Sequence, residues 1–96
     1  MRLEFHPDAE MELGEAAAYY EERVTGLGER FGREVEHFTA LLLDHPDIGA
    51  EIEPGLRRFV LDRFPYALID CVAGDVLYVL AVAHQRRRPG YWRERA

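Results

Sequence analysis

Gly55 divides the chain by the period of its apolar residues. Before it they return every three or four positions, as on one face of a helix; after it they alternate, as on one face of a strand. A chain patterned this way folds as α+β, with its helices gathered on one side of a sheet. Arg2–Phe5 is a short alternating run that Pro7 stops, and proline suits the first turn of a helix. Ala9, Leu13, Ala16, Ala17, Tyr20 and Val24 then form one stripe on a helix of about 17 residues. Thr25-Gly26-Leu27-Gly28 breaks it, and Leu27, Phe31, Val35, Phe38, Leu41 and Leu42 mark a second helix ending at Asp44-His45-Pro46. So short a link predicts an antiparallel helical hairpin. Asp47–Pro54 reads as a loop. Leu56–Phe64, Tyr66–Val72 and Val76–His84 read as an antiparallel meander. The order β-α-α-β-β-β predicts the hairpin packed on one face of a small antiparallel sheet, the other face partly open to water.

The 96 residues fit a single domain spanning 1–96. No apolar run approaches the roughly 20 residues that cross a bilayer, and the amino-terminal residues lack a secretory pattern, so the expected location is cytoplasmic, away from membranes. Cys71 is the only cysteine, which excludes an internal disulfide, and the scattered histidines have no metal-ligand spacing; neither metal nor cofactor is expected. The net charge of −6 argues against a non-specific DNA coat, but the charge is segregated. Residues 1–54 carry four arginines against 14 carboxylates, and residues 55–96 carry eight against four. Every basic residue other than histidine is arginine, a planar fork suited to phosphate or carboxylate.

The candidate site residues lie in the basic half. On the first meander strand, alternation puts Arg57, Phe59, Leu61 and Arg63 on one side. The last strand leads into His84-Gln85-Arg86-Arg87-Arg88, and Pro89-Gly90 turns the chain so that Tyr91 and Trp92 return towards the sheet. Such a surface clamps phosphates and stacks bases, or is simply a solvated arginine cluster closed by Trp92. Histidine in general has a pKa near 6.5 and is suited to moving a proton, a role open to His84, or His84 is a hydrogen-bonded strand-end residue. Arginine instead stabilises charge on a phosphate. Glu10, Glu12, Glu15, Glu21, Glu22, Glu29, Glu34 and Glu36 read as solvated helix faces, and Cys71 as a small core residue.

One ordered set of residues spans nearly the whole chain: Phe5-His6-Pro7-Asp8-Ala9, Ala17-Ala18-Tyr19-Tyr20 with Gly28 and Phe31, His45-Pro46, Gly55-Leu56-Arg57-Arg58, Arg63-Phe64-Pro65-Tyr66, and Ala83-His84 with Arg86-Arg87 and Pro89-Gly90-Tyr91-Trp92. In this it resembles toxins of the RelE/ParE superfamily of bacterial type II toxin–antitoxin pairs, close to plasmid-stabilisation proteins of the ParE kind. The resemblance implies a growth-inhibiting toxin held inactive in a hetero-oligomer with a cognate antitoxin. It implies either inhibition of DNA gyrase, as in ParE-like members, or cleavage of messenger RNA on the ribosome, as in RelE-like members. Arg57, Arg63, Arg86, Arg87 and Tyr91 match positions that act in RNA-cleaving relatives, with His84 beside them. Two positions depart from the pattern: Arg88 stands where aspartate is common, and Asp70 where tyrosine often occurs. They leave open a third reading, a degenerate module that keeps only its antitoxin-binding surface.

Overall fold

A computed structural model describes residues 1–96. Strand β1 (Arg2–Phe5) leads into α1 (Pro7–Arg23) and α2 (Leu27–Asp44). Then come β2 (Ala50–Glu53), β3 (Leu56–Val60), β4 (Tyr66–Ala73), β5 (Val76–His84) and a terminal 3-10 turn, Arg93–Arg95. The helix boundaries follow from local chemistry. Pro7 opens α1, and the His6 Nδ1 accepts the Asp8 N–H at 3.0 Å, satisfying one donor that the first turn leaves unpaired. At the hairpin, Gly26 takes φ 87°, and the Glu21 carboxylate accepts the N–H groups of Gly26 and Gly28 at 2.8 and 3.0 Å. A β-carbon at Gly28 would run into the Ala17 carbonyl, so glycine there sets how closely α2 approaches the alanine face of α1. No helix is long and apolar enough to cross a membrane.

The sheet has the order β1-β5-β4-β3-β2. The pairings of β2 with β3, β3 with β4 and β4 with β5 are antiparallel, but β1 runs parallel to β5, with Leu3 opposite Leu77. The sheet is therefore mixed rather than wholly antiparallel, because alternation reports which face a residue takes and not the direction of its partner. Two further expectations are corrected. Ala50–Glu53 lies within the expected loop yet pairs with β3; it is an edge strand whose Ala50, Glu51 and Ile52 are exposed, so it carries no burial signal. Strand β3 stops at Val60 instead of reaching Phe64.

Two cores result. Phe31, Val35, Leu42, Leu68, Leu77, Val79 and Val82 fill the space between helices and sheet. Complete burial of a side chain such as Phe31 or Leu42 contributes about 1.5–3 kcal/mol. Tyr20, Phe31, Phe64 and Tyr66 extend this core as an aromatic cluster with ring centroids 4.9 to 6.2 Å apart. On the outer face Leu56, Ile69, Leu80, Ala81 and Ala83 form a smaller core, partly roofed by Trp92. A bulge makes this possible. Ile69 pairs with Ala81 and Asp70 with Val79, leaving Leu80 as an extra residue, so that Leu80 and Ala81 both join the outer core.

Candidate functional site

The carboxyl-terminal segment is built onto an exposed strand edge. Strand β1 ends opposite Val79, so β5 from Leu80 onward has no backbone neighbour on that side. Side chains substitute for one. The Glu12 carboxylate, projecting from α1, accepts the Val82 N–H at 3.0 Å, and the Arg95 guanidinium donates to the Leu80 carbonyl at 2.9 Å. Arg95 also donates to both oxygens of Glu12, at 2.9 and 3.0 Å, and the Tyr91 hydroxyl donates to Glu12 at 2.8 Å. Arg87 lies 3.6 Å from the same carboxylate. The side chains of Glu12 and Arg95 are only 10% and 13% exposed, where charge-assisted hydrogen bonds count for more than at a wet surface.

This network determines what Tyr91 can do. Burial first, and then the hydrogen bond to Glu12 and its charge, push the phenol well above its ordinary pKa. It therefore stays protonated at neutral pH as a hydrogen-bond donor. Its ring is also engaged, with the Arg87 guanidinium 4.0 Å and the Arg95 guanidinium 5.1 Å from its centroid. The bond to Glu12 in turn raises the pKa of Arg95.

His84, Arg86, Arg87 and Tyr91 all lie at this end of β5. The His84 Nδ1 accepts the Arg86 N–H at 3.0 Å, and its ring meets Tyr66 edge-on with centroids 5.0 Å apart. Glu12, Tyr19, Tyr66, His84 and Arg87 line a cleft of about 210 Å³. Arg63 lies beyond the end of β3, where its backbone N–H donates to Glu34 at 2.9 Å. It borders a different cleft of about 690 Å³ with Tyr20, Arg30, Arg33, Phe38 and Phe64. The Gln85 N–H donates to the Pro65 carbonyl at 2.8 Å and ties the Arg63 loop to the arginine turn. Arg57 stands apart. Its Nη1 donates to the carbonyls of Asp47 and Gly49 at 3.1 and 2.8 Å, bracing the segment before β2. Arg57 and Asp70 face each other in the β3–β4 register and line a third cleft of about 460 Å³.

Asp70 is fully buried and neither carboxylate oxygen has a hydrogen-bond partner. Burial pushes its pKa up to about 6, against the opposing pull of the Arg57 charge. Arg88 is exposed in the turn. The reading of all eight helix glutamates as solvated is corrected at two of them: Glu12 anchors the carboxyl terminus and Glu34 holds the β3–β4 loop, while Glu21 stays exposed as it caps α2. For Glu12 a signal is present in the sequence. It stands three residues after Ala9 and four before Ala16, on the apolar stripe itself. No group of three or more His, Cys, Asp or Glu side chains converges as a metal-ligand set.

Residues 3–89 match the family described as ParE toxin of type II toxin-antitoxin system, parDE. Among solved structures, one described as the chromosomal ParDE TA system from P. aeruginosa is similar with a TM-score of 0.63 and 19% identity. The match covers 88% of this chain and 95% of that chain; at this identity the likeness concerns the fold alone. No curated protein matches the sequence.

Proposed function

The chain belongs to the ParE toxin family of type II toxin–antitoxin systems, and from that premise we propose that it inhibits DNA gyrase and is neutralised by direct binding of a cognate antitoxin. The observation that carries this reading is the state of Tyr91. A phenol hydrogen-bonded to Glu12, with two guanidinium groups 4.0 and 5.1 Å from its ring centroid, is a structural element of a binding surface rather than a poised acid or base. Arg57, committed to two backbone carbonyls, is likewise remote from the His84 cleft. Both observations favour inhibition by contact over cleavage of a phosphodiester. The runner-up, ribosome-dependent cleavage of messenger RNA, is favoured by one feature, the shared cleft of His84 and Arg87.

For the antitoxin, the larger cleft is lined by Leu27, Phe38 and Phe64 together with Arg30, Arg33 and Arg63, three cations against the two carboxylates Glu34 and Asp62. That combination suits an amphipathic helix bearing acidic flanks. Purified toxin added to gyrase and relaxed plasmid should abolish supercoiling and accumulate cleaved complexes, and stoichiometric antitoxin should restore activity. Unchanged gyrase activity at excess toxin, with growth arrest and cut transcripts in cells, would establish the runner-up instead.

A further inference from the structure

Seven of the eight arginines of the basic half fall into two structural groups, with Arg58 half-buried apart from them on β3. Arg57, Arg87, Arg93 and Arg95 are committed: to the Asp47 and Gly49 carbonyls, to Glu12 and Tyr91, to Glu53 at 2.7 Å, and to Glu12 and Leu80. Arg63, Arg86 and Arg88 are exposed, and their guanidinium groups make neither an ion pair nor a hydrogen bond. These three are brought to the same end of the sheet by the Gln85–Pro65 hydrogen bond, next to the Tyr66–His84 pair. Asp62 is the only carboxylate in the β3–β4 loop. Glu34 accepts the Arg63 N–H, and Glu12 and Glu15 line the His84 cleft, so the cationic character of this end rests chiefly on Arg86 and Arg88 in the exposed turn.

The neighbouring aromatic rings are engaged. Tyr91 has two guanidinium groups against its ring, Trp92 is only 8% exposed in the outer core, Tyr66 is half-buried against His84 and the Tyr20 cluster, and Tyr19, though exposed, carries the Arg23 guanidinium 4.2 Å from its centroid. Recognition of single strands relies on open aromatic faces on which bases stack. Here the guanidinium forks are free and the adjoining ring faces are not, which suits phosphates held at regular intervals with their bases already stacked on one another. We propose that Arg63, Arg86 and Arg88 form a docking surface for the phosphodiester backbone of duplex DNA, without base readout. This surface is independent of whether gyrase is the target, since it concerns the toxin's own affinity for DNA.

Fluorescence anisotropy of a short labelled duplex with the full chain at low salt tests it. Binding should weaken with salt, log K falling by about 0.9 per log unit of salt for each phosphate engaged and by about 3 overall. Arg86→Ala with Arg88→Ala should lower affinity at least about tenfold and make that slope shallower by about 2. Arg2→Ala, at the opposite end of the sheet, should bind as the parent does, and thermal melting shows that each variant is folded. Absence of duplex binding at low salt, equal binding by the folded double variant, or tighter binding to a single strand than to the duplex would each overturn the proposal.

Discussion

Glu12→Ala lowers the unfolding free energy by about 3 kcal/mol, the expected result of removing one partner from a largely buried ion pair while the other remains. The substitution leaves the Val82 N–H, the Tyr91 hydroxyl and the Arg95 guanidinium without their common acceptor. In a domain of this size each kcal/mol lowers the melting temperature by roughly 4–8 °C, so calorimetry should register a fall of roughly 12–24 °C. Glu12→Gln keeps an acceptor for the Val82 N–H while losing the charge, and should fall between the two. A loss below about 1 kcal/mol for the alanine variant would mean that the carboxyl terminus holds to the sheet through its other contacts, Trp92, the Arg93–Glu53 pair and the Arg95–Leu80 hydrogen bond.

Asp70→Asn has the opposite sign. Its buried carboxyl is raised to about 6 from an ordinary 3.8, so the folded protein binds the proton more tightly than the unfolded chain. The native state gains from this fully below pH 3.8, loses the gain as pH rises through about 6, and carries the whole cost of a buried unpaired charge above that. At pH 7–8 the neutral asparagine should therefore stabilise the protein by about 2–3 kcal/mol. Denaturant titrations at a series of pH values test the linkage: the difference in stability between variant and parent should open between pH 4 and about 6 and then stay constant. Equal stability of the two proteins at pH 8 would show that the carboxylate is compensated as an ion.

The helical hairpin and the long strands β4 and β5 are legible from periodicity because each has a face that must be buried. Strand β2 is not, since Ala50, Glu51 and Ile52 face water and the strand is held by backbone hydrogen bonds that any sequence can make. The parallel pairing of β1 is equally invisible; Leu3 and Phe5 identify a buried face, and the same residues would serve either direction. At the site, the return of Trp92 to the sheet is foreshadowed by Pro89-Gly90, and Gly90 indeed turns with φ 82°. The joining of Glu12 to Arg95 across 83 residues is not foreshadowed by any local pattern. It depends on β1 ending short of Leu80, an accident of strand length that leaves the β5 edge for side chains to satisfy. Arg57 and Arg63 share an alternating phase in sequence, yet they border different clefts because β3 stops between them at Val60.

If the carboxyl-terminal end is a contact surface, the Tyr91 hydroxyl matters only for how firmly that surface is held. The decisive measurement is the dose of Tyr91→Phe toxin that halves gyrase supercoiling, beside that of the parent, with cellular transcripts mapped during growth arrest. A dose within about fivefold of the parent and uncut transcripts are expected, because Glu12 keeps its bonds to Val82 and Arg95 and one lost hydrogen bond costs about 1 kcal/mol. A folded variant whose growth arrest weakens by about 100-fold or more, together with parental transcripts cut at defined codons, would make the phenol a catalytic group and contradict the account.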